Sequence, residues 1–250
     1  MKQKLGKLRK LRADALLVKR GLVDSTEKAR VVIMAGEVLA AEQLVTAPNS
    51  LIYENTDLRI IEGSNYVSRG GIKLKGALDF FNLSVDGLMA LDVGASTGGF
   101  TDCLLKNGAS SVYAVDVGYG QLDYGLRTDP RVISMEKTNI RRLKKLPEMP
   151  DIATIDVSFI SLEAVLPSIV NLLKPDAQIV ALLKPQFESR RDEVKKSSII
   201  RDPLLHATII GRFVNWAVNN KYNVNGPVKS FPAGASGNIE FFFLLSNYGG

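Results

Sequence analysis

The segment from Leu91 to Lys106 places an apolar strand-like run, a glycine-rich turn and a helix-like run in immediate succession. The turn reads Gly94-Ala-Ser-Thr-Gly98-Gly99. Glycine lets a backbone approach a ligand closely because it carries no Cβ. In doubly wound α/β proteins a turn of this kind lies at the carboxyl edge of a parallel sheet, where ligands bind. The segment therefore predicts an open α/β sheet whose first strand ends at a ligand-binding turn.

Strand-like and helix-like segments alternate over the rest of the chain beyond residue 66. The predicted strands span 89–93, 111–116, 132–135, 152–156 and 178–184, with a last strand over 238–245. The predicted helices include 100–107, 162–173 and 203–220, and the charged stretch 188–202 predicts a long mobile loop. This alternation is typical of a Rossmann-like, doubly wound α/β domain.

Residues 11–61 follow a different pattern and predict a small α+β domain. Two short helix-like runs end at Gly21 and Gly36, and Asp24-Ser25-Thr26 predicts the cap of the second helix. Short strand-like pieces follow at 37–40, 43–45 and 57–61. A core of this size is too small for an enzyme cleft. We therefore interpret 1–61 as a basic arm with a binding module, 62–66 as a linker and 67–250 as the α/β domain.

The formal net charge of +6 can be located on the sequence. The chain has 32 Lys and Arg residues against 26 Asp and Glu, and six of the bases lie in the first twelve residues, which hold no acid. Removing those six leaves 26 bases and 26 acids in the other 238 residues. A basic arm on a neutral body is typical of binding to nucleic acid or to an anionic membrane surface, and it is equally compatible with a solvated tail.

The composition excludes several classes of protein. The single cysteine, Cys103, rules out an internal disulfide framework and a cysteine-based zinc site, and the single histidine, His206, leaves no histidine pair for a metal. No apolar run reaches the roughly 20 residues that a membrane-spanning helix needs. The first residues also lack the apolar stretch of a secretory signal. We therefore expect a cytoplasmic protein without a metal site, in which Cys103 and His206 are packing residues.

The glycine spacing and one acidic residue predict the cofactor. Gly-x-x-x-Gly-Gly differs from the Gly-x-Gly-x-x-Gly of dinucleotide sites, and no Gly-Lys-Ser/Thr follows for a triphosphate. Asp116 closes the next predicted strand, 22 residues after Gly94, where a carboxylate can accept hydrogen bonds from both hydroxyls of a ribose. This combination predicts S-adenosylmethionine. The competing interpretation is an ordinary strand–helix turn.

Four charged residues accompany apolar segments of the predicted sheet. Asp156 and Lys184 end strands, Glu240 interrupts the last strand, and Lys73 precedes the first. Charges beside hydrophobic strands are costly unless they are paired or used, and the carboxyl ends of parallel strands meet at one edge. We therefore expect Asp156 and Lys184 to converge. Each charge alone could instead form a structural ion pair, and Lys73 alone could be a solvated surface lysine.

Together the four residues resemble the Lys-Asp-Lys-Glu tetrad of FtsJ-like ribose 2′-O-methyltransferases, and nearly the whole chain resembles the TlyA family. That family joins a small RNA-binding domain, named after ribosomal protein S-four, to an FtsJ-like methyltransferase domain. The matching segments are 66–73, 91–102, 137–141, 156–162, 183–188 and 237–240, with about fifty residues from Arg12 onward in the S-four-like part. The sequence departs from the family at Ile72, often histidine, at Ser25-Thr26, usually Ser-Arg, and at 39–42, where a Val-Asn-Gly hairpin is usual.

The resemblance implies methylation of cytidine 2′-hydroxyls in ribosomal RNA, with the RNA or assembled ribosomal subunits as partners and no membrane. It implies catalytic roles for Lys73, Asp156, Lys184 and Glu240. With the glycine turn, it assigns cofactor binding to Asp92, Gly94, Ser96, Thr97, Gly98, Gly99, Phe100, Asp116, Thr138, Asn139 and Asp156. The basic residues assigned to RNA binding are Lys7, Arg9, Lys10, Arg12, Lys19, Arg20, Lys28, Arg30 and Arg69.

The chemistry of a ribose hydroxyl suits these residue types. The hydroxyl becomes a good nucleophile when its proton is removed, and a lysine accepts that proton only when its pKa falls toward neutrality. Burial and a second cation lower a lysine pKa, whereas a carboxylate raises it. Our hypothesis is that Lys184 is the general base and that Lys73 supplies the neighbouring cation. Asp156 and Glu240 would orient the ammonium groups and the ribose.

Two functions from other classes stay open on the sequence. Members of the family also carry the name haemolysin, which suggests a cytolysin, although no spanning segment or long amphipathic helix is predicted. A non-catalytic RNA-binding assembly factor is the other alternative, and the intact tetrad argues against it. Asp156-Val-Ser-Phe lacks the two prolines of amine-directed methyltransferases, and the basic stretch 141–145 is either an RNA phosphate contact or a solvated loop.

Overall fold

The computed structural model describes residues 9–34, 37–41, 43–45, 47–60, 66–190, 192–193, 199–234 and 237–247. The chain forms two compact units, of which the first comprises 1–65 with 235–237 and the second comprises 66–234 with 238–250. The division falls inside the predicted linker 62–66, of which residues 62–65 lie outside the described part.

The first unit is a small α+β fold. Its elements are β1 (Lys10–Arg12), α1 (Ala13–Lys19), α2 (Thr26–Met34), β2 (Val38–Ala40), β3 (Gln43–Leu44), β4 (Leu51–Tyr53) and β5 (Leu58–Ile60). β1 pairs antiparallel with β4, and β2 lies between β3 and β5 in a second small sheet. Both predicted helices are confirmed, and they bury Leu16, Leu17 and Ile33 in a common core. β1 and β4 are additional strands, because three residues are too few to show a strand period.

A seven-stranded sheet forms the centre of the second unit. Its strands are β6 (Met89–Val93), β7 (Ser111–Val115), β8 (Val132–Met135), β9 (Ile152–Ile155), β10 (Gln178–Leu183), β11 (Tyr222–Lys229) and β12 (Phe241–Asn247). The spatial order is β11-β12-β10-β9-β6-β7-β8. The five strands from β10 to β8 are parallel, and β12 and β11 add antiparallel pairs at one edge. This order confirms the predicted Rossmann-like α/β class.

The predicted strands differ from the observed ones at their ends. Asp116, Asp156 and Lys184 each lie one residue beyond the carboxyl end of a strand, and Glu240 precedes β12 instead of lying within it. A charged side chain next to a buried ladder is better accommodated where the backbone leaves the sheet. β11 is an additional strand, because its Asn225-Gly226-Pro227 sequence reads as a turn.

Helices cover both faces of the seven-stranded sheet. They are α3 (Arg69–Phe80), α4 (Gly99–Lys106), α5 (Tyr124–Thr128), α6 (Leu162–Val170), α7 (Pro185–Glu188) and α8 (Pro203–Asn219), with a 3₁₀ turn at Ile140–Arg142. α6 ends at Val170, earlier than the predicted 173, and α3 and α7 were not predicted. The stretch 188–202, predicted as a mobile loop, begins at the last residue of α7, and in its described part Glu193 pairs with Arg212 at 2.5 Å.

The core occupies two layers, one on each face of this sheet. One layer packs α6 and α8 against Phe243 and its neighbours, and the other packs α3 and α4 against Phe242. Cys103 lies in the second layer, where burial raises the pKa of its thiol to about 12, and this confirms a packing residue. His206 is buried with its ring 5.6 Å from that of Phe241, edge to face.

Neither a membrane-spanning helix nor a metal-binding cluster occurs among the described residues. In that part of the chain, every helix is too short or too polar to cross a membrane. In the same residues, no three His, Cys, Asp or Glu side chains group in a way that could hold a metal ion.

Candidate active site

A cavity of about 430 Å³ opens at the carboxyl edge of the parallel strands. It lies where the chain leaves β6, β7 and β9, so the loops after these strands form its wall. The residues that line it are Val93, Gly94, Ser96, Val115, Asp116, Val117, Gln121, Thr138, Asn139, Ile140, Asp156, Val157, Ser158, Phe159, Ile160 and Val165. Six of the residues assigned to the cofactor from the sequence are among them: Gly94, Ser96, Asp116, Thr138, Asn139 and Asp156.

Asp116 is held in place by the backbone of the loops around it. Its Oδ2 accepts a hydrogen bond from the Ser96 N–H at 2.8 Å, and its Oδ1 accepts one from the Gly118 N–H at 2.6 Å. A carboxylate has about four lone-pair sites, so two backbone bonds leave acceptor capacity on both oxygens. The side chain is therefore both fixed and able to accept the two hydroxyls of a ribose.

Gly94 is required by the neighbouring loop as much as by a ligand. Its φ is +87°, and a Cβ at this position would lie 2.4 Å from the carbonyl oxygen of Asp156. The chain can therefore leave β6 this close to the backbone of Asp156 only when residue 94 is glycine.

Gly99 serves the packing of two helices. A Cβ here would lie 2.2 Å from Ser68 Oγ and 3.1 Å from Gly70 Cα, at the start of α3. Gly99 thus allows α4 to approach the helix that carries Lys73. The other assigned residues of this turn, Thr97, Gly98 and Phe100, also lie outside the cavity lining, and Phe100 packs its ring 6.1 Å from Phe242.

Asp92 lies inside the sheet and not on the cavity wall. Its Oδ2 accepts a hydrogen bond from Thr101 Oγ1 at 2.6 Å, and its Oδ1 accepts one from Thr154 Oγ1 at 3.1 Å. Burial raises the pKa of the Asp92 carboxyl to about 7, against the two hydroxyl bonds that lower it. The residue ties β6 to α4 and β9, behind the loop that lines the cavity.

Lys184 and Asp156 form an ion pair beside the cavity. Lys184 Nζ lies 2.6 Å from Asp156 Oδ1 and donates a hydrogen bond to Ser158 Oγ at 3.0 Å. The expected convergence is therefore present, because β9 and β10 are adjacent parallel strands that end at the same edge. Asp156 and Ser158 both line the cavity, so the ammonium group borders it.

Lys73 and Glu240 form a second pair that is more deeply buried. Lys73 Nζ lies 2.6 Å from Glu240 Oε2, and the two side chains are 10% and 4% exposed. Lys73 is therefore not a solvated surface lysine. Leu183 and Phe241 are register partners on β10 and β12, so Lys184 and Glu240 follow and precede the same cross-strand pair. The four tetrad residues thus meet at one edge as two salt bridges.

Arg69 begins α3 four residues before Lys73. Burial lowers the pKa of its guanidinium, whereas the nearby Glu240 carboxylate raises it. The residue assigned to RNA therefore lies within the electrostatic reach of the Lys73–Glu240 pair.

Four of the basic residues assigned to RNA in the first unit contact carboxylates. Arg12 donates two hydrogen bonds to the buried Asp14, at 3.0 and 2.6 Å, and Arg30 Nε lies 3.6 Å from the same carboxylate. The bonds from Arg12 lower the pKa of Asp14. Lys28 pairs with Asp24 at 3.2 Å and Lys19 pairs with the Glu54 carboxylate, whereas Arg20 donates to the backbone carbonyl of Glu54. These contacts are made by the charged ends of the side chains, and Arg12 and Arg30 remain about half exposed.

The basic residues at the start of the chain are only partly described. Arg9 and Lys10 are exposed, and Lys10 Nζ lies 4.5 Å from the centre of the Tyr53 ring. Lys7, also assigned to RNA, lies outside the described residues.

Ten of the residues that line the cavity were not assigned to a site from the sequence, among them Gln121, Ser158 and Phe159. Phe159 is 91% exposed, has a φ of +64°, and lies with its ring 4.9 Å from that of Phe187. A phenylalanine in a sequence is ordinarily assigned to the core, so exposure at a cavity is not visible from residue type. The sequence did hold one indication of these residues: 157–160 directly follow Asp156, which was predicted to lie at the site.

Comparison with known proteins agrees with this geometry. Residues 66–247 match the family model described as FtsJ-like methyltransferase. The chain is 46% identical over 242 residues to the "Putative rRNA methyltransferase YqxC" of Bacillus subtilis, covering 95% of this chain and 86% of that protein. It is 42% identical over 241 residues to the 16S/23S rRNA (cytidine-2′-O)-methyltransferase TlyA of Mycobacterium tuberculosis, covering 95% and 90%. The solved structure of a "Putative hemolysin" from Streptococcus thermophilus matches with a TM-score of 0.74 at 42% identity, covering 96% of this chain and 89% of that chain.

Proposed function

The chain belongs to the FtsJ-like methyltransferase family, and from this premise we propose that it is an S-adenosylmethionine-dependent ribosomal RNA methyltransferase acting on cytidine 2′-hydroxyls. The observation that carries the proposal is the Lys184–Asp156 ion pair at the edge of the cavity that contains Asp116. The substrate class is supported by the relative from M. tuberculosis, whose name specifies the cytidine 2′-oxygen of 16S and 23S rRNA.

The cavity suits an adenosyl cofactor. Its volume of about 430 Å³ lies in the usual range for small-ligand sites. Asp116 offers two carboxylate oxygens for the ribose, and Val117, Ile140 and Val165 provide apolar surface for a base. When bound, S-adenosylmethionine supplies an electrophilic methyl group on its sulfonium. Thr138 and Asn139, on the loop after β8 that hydrogen-bonds to the Asp116 loop, add polar contacts.

Lys184 is the general base in this proposal. An ammonium group has three N–H bonds. Lys184 donates one of them to Ser158, and the Asp156 carboxylate holds the charged group as an ion pair at 2.6 Å. The N–H directions that Ser158 does not take are left for the ribose hydroxyl. Once the amine has lost a proton to solvent, its lone pair accepts the proton of O2′ while Asp156 keeps the amine oriented. Lys73 and Glu240 hold the adjacent edge of the site in a fixed, charge-balanced arrangement.

We also propose the division of labour between the two units. Residues 1–61 form an S-four-like RNA-binding domain with a basic arm, and 67–250 form the methyltransferase domain. The two-helix core and the surface-held Arg12 and Arg30 support the first assignment. A ribosomal RNA substrate also agrees with the expected cytoplasmic location.

Labelled methyl transfer tests the proposed function directly. The purified chain is incubated with methyl-labelled S-adenosylmethionine and with 30S subunits, 50S subunits or naked rRNA, and the 2′-O-methyl sites are then mapped. Transfer to a cytidine 2′-oxygen in at least one of these substrates is expected. An absence of transfer to all three contradicts the proposal.

The haemolysin alternative rests on the name of the relative from S. thermophilus. Lysis of erythrocytes by purified protein, with and without S-adenosylmethionine, separates it from RNA methylation. The non-catalytic alternative is disfavoured because both salt bridges of the tetrad are present beside a formed cavity.

A further inference from the structure

Two short segments carry the groups that border the cavity. The first, residues 156–161, follows β9 and contains Asp156, Ser158 and Phe159. The second, residues 184–188, follows β10 and contains Lys184 and α7. We call them the aspartate loop and the lysine segment. They leave neighbouring parallel strands, but beyond the strand ends no ladder hydrogen bonds are available to hold them in register.

Side-chain contacts join the two segments near the cavity. The Lys184–Asp156 ion pair and the bond from Lys184 to Ser158 lie at the strand ends. Further out, the rings of Phe159 and Phe187 lie 4.9 Å apart. These contacts involve groups that would also face the substrate in the proposed reaction. They therefore do not hold the two segments together independently of substrate.

A third contact lies at the far end of both segments. Glu188 Oε1, on the last residue of α7, accepts a hydrogen bond from the backbone N–H of Leu162 at 2.7 Å. Leu162 is the first residue of α6 and directly follows the aspartate loop. The bond therefore connects the end of the lysine segment to the end of the aspartate loop, across 26 residues of sequence.

The N–H group of the first residue of α6 takes its hydrogen-bond partner from a distant part of the chain. The first N–H groups of a helix have no intrahelical partner, and a serine at the N-cap commonly satisfies one of them. Ser161 occupies the N-cap of α6, but its side chain makes no capping hydrogen bond. The cap comes instead from the distant Glu188.

Keeping a carboxyl group in this place has a cost. Burial raises the pKa of Glu188 to about 7, and the neighbouring Glu163 raises it further, while the Leu162 N–H and Arg212 lower it. Strongly perturbed groups that are not needed for packing are characteristic of functional sites. A serine at the N-cap accepts from the second or third helical N–H and does not replace Glu188 at the first. Without Glu188, this end of the two segments would be unconnected.

We propose that Glu188 is a positioning residue that fixes the aspartate loop relative to the lysine segment, and thereby sets the distance between Lys184 and the cavity wall formed by residues 157–160. The inference rests on the proposed function, because the reaction it supports is methyl transfer. Glu188 itself lies outside the residues that line the cavity in the described structure.

Three substitutions of Glu188 separate the effect of its side-chain length from the effect of its charge. Glu188→Gln keeps an acceptor oxygen at the same distance without the charge. Glu188→Asp keeps the charge but is one methylene too short, and Glu188→Ala removes the acceptor. Glu163→Ala is the matched control, because it removes an acidic side chain from the first turn of the same helix.

The expected results concern kcat, KM and cofactor affinity together. Glu188→Ala and Glu188→Asp should lower kcat for methyl transfer by about tenfold to a hundredfold, as expected for a displacement of order 1 Å in a catalytic group. They should also raise KM and Kd for S-adenosylmethionine, since residues 157–160 line its cavity, and leave KM for the ribosomal subunit unchanged. Glu188→Gln and Glu163→Ala should stay within about threefold of the wild type.

The comparison remains decisive if the alanine variant is unstable, because Glu188→Gln and Glu188→Asp are then compared after their folding is checked by thermal unfolding. The inference is overturned if Glu188→Asp matches the wild type, or if Glu188→Gln is as impaired as Glu188→Asp. A wild-type chain that transfers no methyl group would contradict the proposed function instead, and the Kd measurements would still test whether Glu188 shapes the cavity.

Discussion

Each end of β9 carries a lysine–aspartate ion pair, and the pairs differ in position and in the exposure of the lysine, 49% for Lys174 and 11% for Lys184. Lys174 pairs with Asp151 before the strand, and Lys184 pairs with Asp156 after it. Asp156 lines the cavity, whereas Asp151 accepts a hydrogen bond from the Met89 N–H at the opposite edge of the sheet. The same pair of residue types is thus structural at one edge and available for chemistry at the other.

This symmetry provides a controlled test of the general base. Lys184→Ala should lower methyl transfer by about 10²- to 10⁴-fold, the usual contribution of a general base. Binding of S-adenosylmethionine, measured by calorimetry, should persist because Asp116 keeps its two backbone hydrogen bonds. Lys174→Ala removes an equivalent lysine and should leave transfer unaffected. Near-normal turnover of Lys184→Ala would rule out its role as the base.

The raised pKa of the Asp92 carboxyl predicts that the stability of the protein depends on pH. Its pKa is about 7 in the folded protein and 3.8 ordinarily, so between these values the folded state binds more protons than the unfolded state. The free energy of unfolding contributed by Asp92 therefore falls as the pH rises from about 4 to about 7. Glu188, whose pKa is also raised to about 7, acts in the same direction.

Asp92→Asn should remove the Asp92 part of this decline while keeping an acceptor for Thr101 or Thr154. Between about pH 4.5 and 7.5, the variant should lose less unfolding free energy than the wild type, by at least about 1.4 kcal/mol, the equivalent of one pKa unit. Urea unfolding at the two pH values measures the difference. Parallel pH profiles for the two proteins would show that Asp92 is not protonated in this range.

At the scale of elements, the approach of α3 to α4 determines where Lys73 lies. The start of α3 rests on Gly99, and Asp102 on α4 accepts a hydrogen bond from the Val67 N–H at 2.8 Å, just before α3. The glycine turn therefore has two positioning roles. Gly94 allows the close approach of the cavity loop, and Gly99 allows the close approach of α3, the helix that carries Lys73.

Gly99→Ala should displace α3, because the new Cβ would overlap Ser68 Oγ and lie 3.0 Å from the Gly71 nitrogen. We expect a loss of about 1–3 kcal/mol in the free energy of unfolding, as for other overpacked sites, together with reduced methyl transfer. Gly76→Ala is the control on α3 itself, where a Cβ meets open space. It should gain about 0.5–1 kcal/mol and keep its activity. Equal behaviour of the two variants in urea unfolding and transfer assays would contradict this packing role.

At the scale of the whole molecule, charge and catalysis are assigned to different units. The positive excess of the sequence lies in the first twelve residues, whereas the cavity and the tetrad belong to the second unit. β1 begins at Lys10 and pairs with β4, so the last bases of the arm are part of the first unit's fold. A truncation that tests the arm must therefore end before Arg9.

Removing residues 2–8 deletes Lys2, Lys4 and Lys7 and keeps β1. If the arm binds RNA phosphates, the slope of log affinity against log salt should become shallower by about 0.7–0.9 for each phosphate that is no longer neutralised by a lysine. Filter binding of ribosomal subunits over a range of salt concentrations measures both slopes. Identical slopes would identify the arm as a solvated tail.

The sequence by itself predicted six strands of the sheet, the glycine turn and the four charged residues that resemble the tetrad. These are local signals, because buried parallel strands such as Ile152–Ile155 appear as continuous apolar runs and charges stand out at their ends. The convergence of Asp156 and Lys184 followed from the strand order, but only the tertiary structure decided that Lys73 pairs with Glu240, since these residues lie far apart in the chain. The same holds for Asp92, Phe159 and Glu188, whose roles depend on burial, exposure and a partner on another element. Local pattern specifies which faces are apolar, but side-chain pairings between elements are fixed only when the elements pack.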